Sequence, residues 1–300
     1  SVERATLVPF FEDSAELPED EIRYLSSFDT VLAYLSDPEK IFERNLARLN
    51  VGNLIVRPPF PAAGPRTHVG RYLLDTIAPL LNRQPDSHSA SKRSIRAKRV
   101  RAHECNSEAT AGPACLLYLD ADEMRHADAF LEAARSEGKP VVALHPGSGS
   151  EKKCWPPERF EALAQRLRER PGCAVLLLLG PADERLVTRM TALAEKAGCS
   201  IVRNLPLRHL AALLSRCSAY VGNDSGVTHL AAVTGIPTLA IFGPTDPAVW
   251  APQGTHVRVV SRDVECSPCA HEAMRQCRER VCLEGISVED VARTAAEITK

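Results

Sequence analysis

The residues best suited to chemistry lie in two short polar turns, each interrupting an apolar run. The first belongs to the stretch YVGNDSGVTHL, residues 220–230. Cys217 to Val221 is apolar and of strand length, Gly222 to Asp224 break it, and Val227 resumes with apolar residues at helical spacing. Strand, turn and helix in that order are what an open α/β sheet uses to present a ligand site beyond the carboxyl ends of its strands. Ser225 and Gly226 fall at the helix start, whose free N–H groups and positive dipole end favour a phosphate. His229 follows one turn above Ser225 on the same face. A diphosphate would repel Asp224, so sugar hydroxyls or the helix's own N–H groups are its better partners. As a bare N-cap it would need no ligand at all.

The second turn is HPGSGSEKKCWPP, residues 145–157. It too leaves an apolar run and enters a helix with proline near its first turn. Its glycines let backbone approach a ligand, Ser148 and Ser150 offer hydroxyl and amide donors, and a lysine can balance diphosphate charge. The stretch matches neither the Walker pattern nor GxGxxG. Its weight comes from pairing, because both turns would lie at the carboxyl edge of one sheet.

The elements that must hold these turns are regular from residue 139 onward. Strands at Val141–His145, Ala174–Leu179, Ser200–Arg203, Thr238–Phe242 and His256–Val260 alternate with helices at Pro157–Arg170, Asp183–Ala197 and Pro206–Arg216. Nearly all-apolar strands between amphipathic helices indicate a parallel sheet covered on both faces, a doubly wound domain of nucleotide-binding type. A last helix, Val288–Ile298, begins after Ser287 and could pack back on the first half.

Residues 1–138 are less regular. Short strands are expected at Ala5–Phe11, Thr30–Leu35, Asn53–Val56 and Leu116–Leu119. Helices are expected at Asp37–Leu49, with Asp37 as cap and Pro38 at its first position, at His68–Leu81 and at Asp122–Glu137. Arg57 to Pro61 must be a loop. Residues 83–113 are polar, aperiodic and hold the run SKRSIRAKRVR. That run is either a solvated loop or a contact for an anionic partner such as acceptor phosphates or a membrane surface.

With 300 residues and 44% hydrophobic composition, two domains can each hold a core, with the boundary placed between 138 and 139. Thirty-seven Lys and Arg against 38 Asp and Glu leave a net charge of -1, which excludes a global field that recruits nucleic acid. No apolar run approaches a bilayer's width, so the chain reads as soluble or peripheral. Ten cysteines scattered through an α/β pattern read as cytosolic thiols.

HPGSGSEKKCWP, then LLLLGPADE, then YVGNDSGVTHLAAVTGIPTLAIFGPTDP, together resemble glycosyltransferase family 9, the ADP-heptose:lipopolysaccharide heptosyltransferases, over about residues 139–300. The resemblance implies an α/β protein of GT-B type, with two Rossmann-like domains facing a cleft and the C-terminal one holding the nucleotide-sugar donor. It implies that Lys153 meets the donor diphosphate, with Lys152 as the alternative, and that Ser148 and Ser150 are loop donors. It maps Asp224 to the heptose, Ser225 and Gly226 to the phosphates with His229 nearby, Glu184 to the ribose, and Leu205 to adenine. The implied reaction is inverting heptose transfer from ADP-heptose to a sugar hydroxyl of the lipopolysaccharide inner core. It requires no metal or cofactor and takes place at the cytoplasmic face of the inner membrane on a lipid-linked saccharide acceptor. The family's general base comes from a Gly-Asp turn near the N-terminus, which is not found at the front of this sequence. No base is assigned, the first domain is expected to be incomplete, and the 300-residue chain is expected to be impaired.

Other signals are weaker. Cys266, Cys269, Cys277 and Cys282 begin with a C-x2-C pair and could form a structural zinc site, although the resemblance places cysteines here without implying a metal. His68 and His209 read as packing or surface residues, Trp155 and Trp250 as anchors, and Asp246 as either a cleft residue or a turn cap. Two other functions stay open, a GT-B enzyme using another nucleotide sugar and a non-catalytic sugar-nucleotide-binding module.

Overall fold

The structure is a computed structural model that describes residues 5–13, 16–49, 51–61, 66–81, 117–134, 139–169 and 173–298. The chain divides into two compact units, Ser1–Val100 and Arg101–Lys300. The basic run within 83–113 lies outside the described residues.

In the first unit, helix α1 (Glu19–Leu25), strand β1 (Thr30–Tyr34), helix α2 (Ile41–Ala47), strand β2 (Asn53–Arg57) and helix α3 (Val69–Leu81) follow one another. β1 and β2 pair in parallel, Thr30 against Asn53 through Tyr34 against Arg57, with α2 in the crossover that a parallel pair requires. Phe10, Leu46 and Leu49 form a small core. The buried Asn45 amide ties α2 to the preceding segment by donating to the carbonyls of Phe10 and Glu12.

Two expectations for this unit fail. Ala5–Phe11 is a 3-10 helix with Pro9 inside it, and a proline there cannot donate to a strand ladder. The helix expected from Asp37 starts at Ile41, yet the Asp37 carboxylate still caps it, accepting from the N–H groups of Phe42 and Glu43 at 3.2 and 2.8 Å. Pro38 therefore lies in the lead-in turn.

The second unit opens with helix α4 (Ala121–Ala134) and continues with β3 (Val141–His145), α5 (Pro157–Glu169), β4 (Ala174–Leu179), α6 (Val187–Ala197), β5 (Ser200–Arg203), α7 (Leu207–Ser215), β6 (Ala219–Asn223) and α8 (Gly226–Val233). After these come β7 (Thr238–Phe242), α9 (Pro247–Trp250), β8 (Val257–Ser261), α10 (His271–Gln276), α11 (Val281–Glu284) and α12 (Val288–Ile298). Six parallel strands lie in the order β5-β4-β3-β6-β7-β8. The strand order reverses between β3 and β6, which makes the carboxyl ends of those two strands the switch point where such sheets bind ligands.

Each strand feeds two cores through its period of two. Val142, Leu144, Val175, Leu177, Val221 and Ile241 pack under α5, α6 and α12, whereas Val141, Ala143, Leu176, Leu178 and Tyr220 pack under α4, α7 and α8. Apolar residues therefore run uninterrupted along the strands because both faces are covered.

Two details differ from expectation. Leu117 to Leu119 are not a strand: Tyr118 is exposed and its carbonyl accepts from Arg208, and the segment leads into α4 through a reciprocal cap between Asp120 and Glu123. The helix expected from Asp183 begins as a separate 3-10 turn, Pro181–Leu186. The last helix packs on α5 and on β6, β7 and β8 of its own unit, with Glu289 paired to Arg166. Helix α4, which the 138/139 boundary assigns to the first half, packs on α7, where Glu123 pairs with Arg208.

Candidate functional site

The two polar turns leave adjacent strands at one level, since His145 at the end of β3 stands opposite Gly222 in β6. Asn223 joins them. It is fully buried, its amide donates to the carbonyls of Pro146 and Gly147 at 2.9 and 3.2 Å, and its Oδ1 accepts from the Trp155 N–H at 2.9 Å. Ser148 adds a second tie by donating from Oγ to the Asp224 carbonyl at 2.7 Å.

This framework brings Lys153 onto Asp224. The ammonium lies 2.9 Å from Oδ2, with the lysine side chain 26% and the aspartate side chain 8% exposed. Thr245, in the turn after β7, donates to the same oxygen at 2.7 Å. Asp224 is thus not the N-cap of α8. Ser225 takes that place, its Oγ accepting from the Thr228 N–H at 3.4 Å, and the carboxylate is left to face the lysine. Lys152, the alternative to Lys153, points elsewhere: its Nζ donates to the Cys277 carbonyl at 2.5 Å.

The other expected residues fall in different surroundings. Gly226 opens α8 and is exposed, and a Cβ built there or on Gly149 meets no atom within 4 Å, so packing alone requires glycine at neither place. His229 is half-buried, and its backbone N–H bonds the Ser225 carbonyl at 3.3 Å. Ser150 stands before the 3-10 turn Glu151–Lys153 and accepts through its carbonyl from the Lys153 N–H. Glu184 has a side chain 77% exposed and pairs with Arg203 at 3.7 Å. Leu205 lines a small apolar pocket with His145, Leu179, Gly180 and Val227, beside the end of β3.

A second layer under these turns escapes a reading of the sequence. His145 and Asp183 are both buried, with Nε2 and Oδ2 3.1 Å apart, and His145 Nδ1 lies 3.4 Å from Ser225 Oγ. Burial pushes the Asp183 carboxyl up, but the His145 hydrogen bond and the Gly180 N–H reverse this and hold it below the usual aspartate value. Its Oδ1 is buried without a hydrogen-bond partner, and a Cβ on Gly147 would come within 1.7 Å of that oxygen. Gly147 is therefore needed for close approach of the aspartate. GPADE holds two carboxylates that burial separates: Asp183 supports the turn from beneath while Glu184 faces solvent.

Cys269 lies close enough to Cys266 and Cys277, and Cys282 to Cys269 and Cys266, for their thiols to interact. Among the described residues no three His, Cys, Asp or Glu side chains are placed to hold a metal ion, and the Cys269 and Cys277 thiols donate instead to the carbonyls of Cys266 and Glu279. His209 stacks edge to face with His126, Trp155 is fully buried, and Asp246 caps α9.

A doubly wound sheet with two turns converging at its switch point defines an α/β domain of Rossmann-like type, the unit from which GT-B proteins are built. A model of glycosyltransferase family 9 (heptosyltransferase) matches residues 101–279, and the chain belongs to that family. Lipopolysaccharide heptosyltransferase 1 of Pseudomonas aeruginosa is 34% identical over 152 residues, 50% of this chain and 40% of that protein. Lipopolysaccharide heptosyltransferase 2 of Escherichia coli K12 is 30% identical over 131 residues, 42% of this chain and 37% of that protein. The chain thus spans less than half the length of these two curated relatives. In fold it is similar to a family 9 glycosyl transferase from Veillonella parvula, with a TM-score of 0.64 at 17% identity over 93% of this chain and 77% of that one. It is also similar to E. coli heptosyltransferase WaaC with ADP, with a TM-score of 0.55 at 16% identity over 93% and 78%.

Proposed function

We propose that the second unit binds ADP-heptose and that the protein transfers heptose, with inversion, to a sugar hydroxyl of the lipopolysaccharide inner core. The observation that carries this reading is the meeting of Lys153 and Asp224 beside the start of α8, at the switch point of the sheet. A nucleoside diphosphate leaving group gathers negative charge as the glycosidic bond breaks, and a preorganised ammonium beside a helix N-terminus stabilises that charge. Lys153 and the N–H groups at Ser225 and Gly226 take this role. Asp224, held by Lys153 and Thr245, presents its carboxylate to heptose hydroxyls and keeps the lysine aimed when no donor is bound. Ser148 and Ser150 serve the diphosphate, Leu205 meets the adenine at the surface beside the end of β3, and Glu184 takes the ribose.

This assignment gives the leaving group its compensating charge from the chain itself, so donor turnover is expected to persist in a chelator. The acceptor is a lipid-linked saccharide reached at the cytoplasmic face of the inner membrane. Among the described residues no helix is long and apolar enough to cross a membrane, which is compatible with peripheral contact. No residue is assigned as the base. The test is calorimetry of the 300-residue chain with ADP-heptose and with a panel of other nucleotide sugars. Micromolar binding selective for ADP-heptose supports the reading, and preference for another nucleotide sugar overturns the choice of donor. Binding without transfer, both here and in an N-terminally extended chain, would instead favour a non-catalytic module.

A further inference from the structure

Asp224 has two side-chain partners, Lys153 and Thr245, and they stand on different turns. One segment, running from Cys266 to Ile286, reaches both turns. At its beginning, Ser267 Oγ donates to the Gly243 carbonyl at 2.6 Å and the Cys269 N–H to the Pro244 carbonyl at 2.7 Å, fixing the turn that carries Thr245. Farther along, Arg280 Nη1 donates to the carbonyls of Glu151 and Cys154 at 3.2 and 3.0 Å, the two ends of the turn that carries Lys153. Lys152, in that same turn, reaches back to the Cys277 carbonyl.

We propose that Arg280 is a positioning residue for Lys153: it clamps the Glu151–Cys154 turn at both ends, so that the segment bridging to the Thr245 turn sets the spacing of Lys153 and Thr245 about Asp224. A guanidinium suits this task because its planar donors are always charged and fixed relative to one another. The carbonyls it binds are neutral, so its contribution is to shape the turn. The inference rests on the proposed function only in taking Lys153 to meet a nucleoside diphosphate.

The test is a double-mutant cycle on the full chain, with ADP as the calorimetric probe and Arg280→Met, Lys153→Ala and their combination as variants. Arg280→Met is expected to weaken ADP binding about tenfold. In the Lys153→Ala background the same change is expected to alter affinity less than about twofold, because the arginine acts through the lysine. Equal effects in both backgrounds would overturn the proposal. Arg280→Lys, which keeps the charge but lacks the planar fork, serves where the Met variant is unstable and should fall between it and wild type. A readout without nucleotide separates this inference from the donor assignment. In 13C-methylated protein, with the Lys153 signal assigned through Lys153→Arg, Arg280→Met should shift that signal as the pair with Asp224 loosens. A shifted signal in a chain that fails to bind ADP would sink the donor reading and keep the clamp, whereas an unmoved signal would sink the clamp.

Discussion

Lys153 and Asp224 meet at 2.9 Å across a gap that the chain closes only in three dimensions, one residue at the end of the first polar loop of the sheet and the other at the entry to α8. Both are committed to each other and to a site where an anion is expected. On the proposed reading the lysine is shared between a resident carboxylate and an incoming phosphate, so altering the two partners should have unequal effects on ADP binding. Lys153→Ala is expected to weaken ADP binding by about 2 kcal/mol, roughly 30-fold, as the loss of a charge-assisted contact. Asp224→Asn, which removes the competing charge, should leave ADP affinity unchanged or higher while it weakens ADP-heptose. Titration calorimetry with both ligands checks this, and parallel losses for ADP in the two variants would contradict it.

Gly147 and Gly226 make a matched pair of tests. An added methyl at Gly147 runs into the Asp183 carboxylate, whereas one at Gly226 meets no protein atom. Gly147→Ala should cost about 2–3 kcal/mol by overpacking, seen as an earlier urea midpoint. Gly226→Ala should be neutral or stabilising by up to about 1 kcal/mol. Its ADP affinity should nonetheless fall if, as proposed, the helix start comes close to the donor phosphates.

Asp183 predicts an acid response. Its carboxyl is held below the ordinary aspartate value in the folded chain, so it contributes stability that is present above about pH 4 and is lost as the pH falls through the folded value. Asp183→Asn should be destabilised at pH 6, and the gap to wild type should narrow steadily as the pH is lowered from 4 toward 3. Unfolding free energies from urea titrations at successive pH values would measure it, and a gap independent of pH would remove the carboxylate's charge from the explanation.

Asn223→Ala removes three buried hydrogen bonds at once and should destabilise by about 3 kcal/mol. Asn223→Asp retains an acceptor for the Trp155 N–H but sets a carboxylate against two carbonyls, so it should be no better. A urea midpoint near that of wild type for the Asp variant would show that the donor half of the amide is dispensable.

Much of the second unit is legible in the sequence because its strands are buried on both faces and so read as unbroken apolar runs. Ala174–Leu179 and Thr238–Phe242 are found residue for residue, and the polar breaks after β3 and β6 mark the switch point. The first unit is harder, since half-buried strands such as Thr30–Tyr34 carry little contrast and Ala5–Phe11 has strand-like composition with a proline that turns it. At the site, residues facing solvent or ligand announce themselves as Gly, Ser, Lys and Asp, whereas those beneath do not. Asn223 looks like one more turn residue, His145 like the end of a strand, and Asp183 like the lesser partner of Glu184. Their roles come from contacts 38 to 80 residues away in sequence, which no local spacing encodes.

The distance between Asn223 and Pro146 also has a consequence in time. The stretch between them includes β4, β5 and helices α5, α6 and α7, and closing so long a loop is slow relative to forming any single helix. Until Thr245, in the turn after β7, is in place, a growing or refolding chain lacks the Lys153–Asp224–Thr245 group on which the proposed nucleotide site depends. A nucleotide that binds only the finished domain raises the stability of the whole domain by mass action. The onset of its binding during refolding would therefore mark the completion of the sheet, making the ligand a clock for the last step of folding.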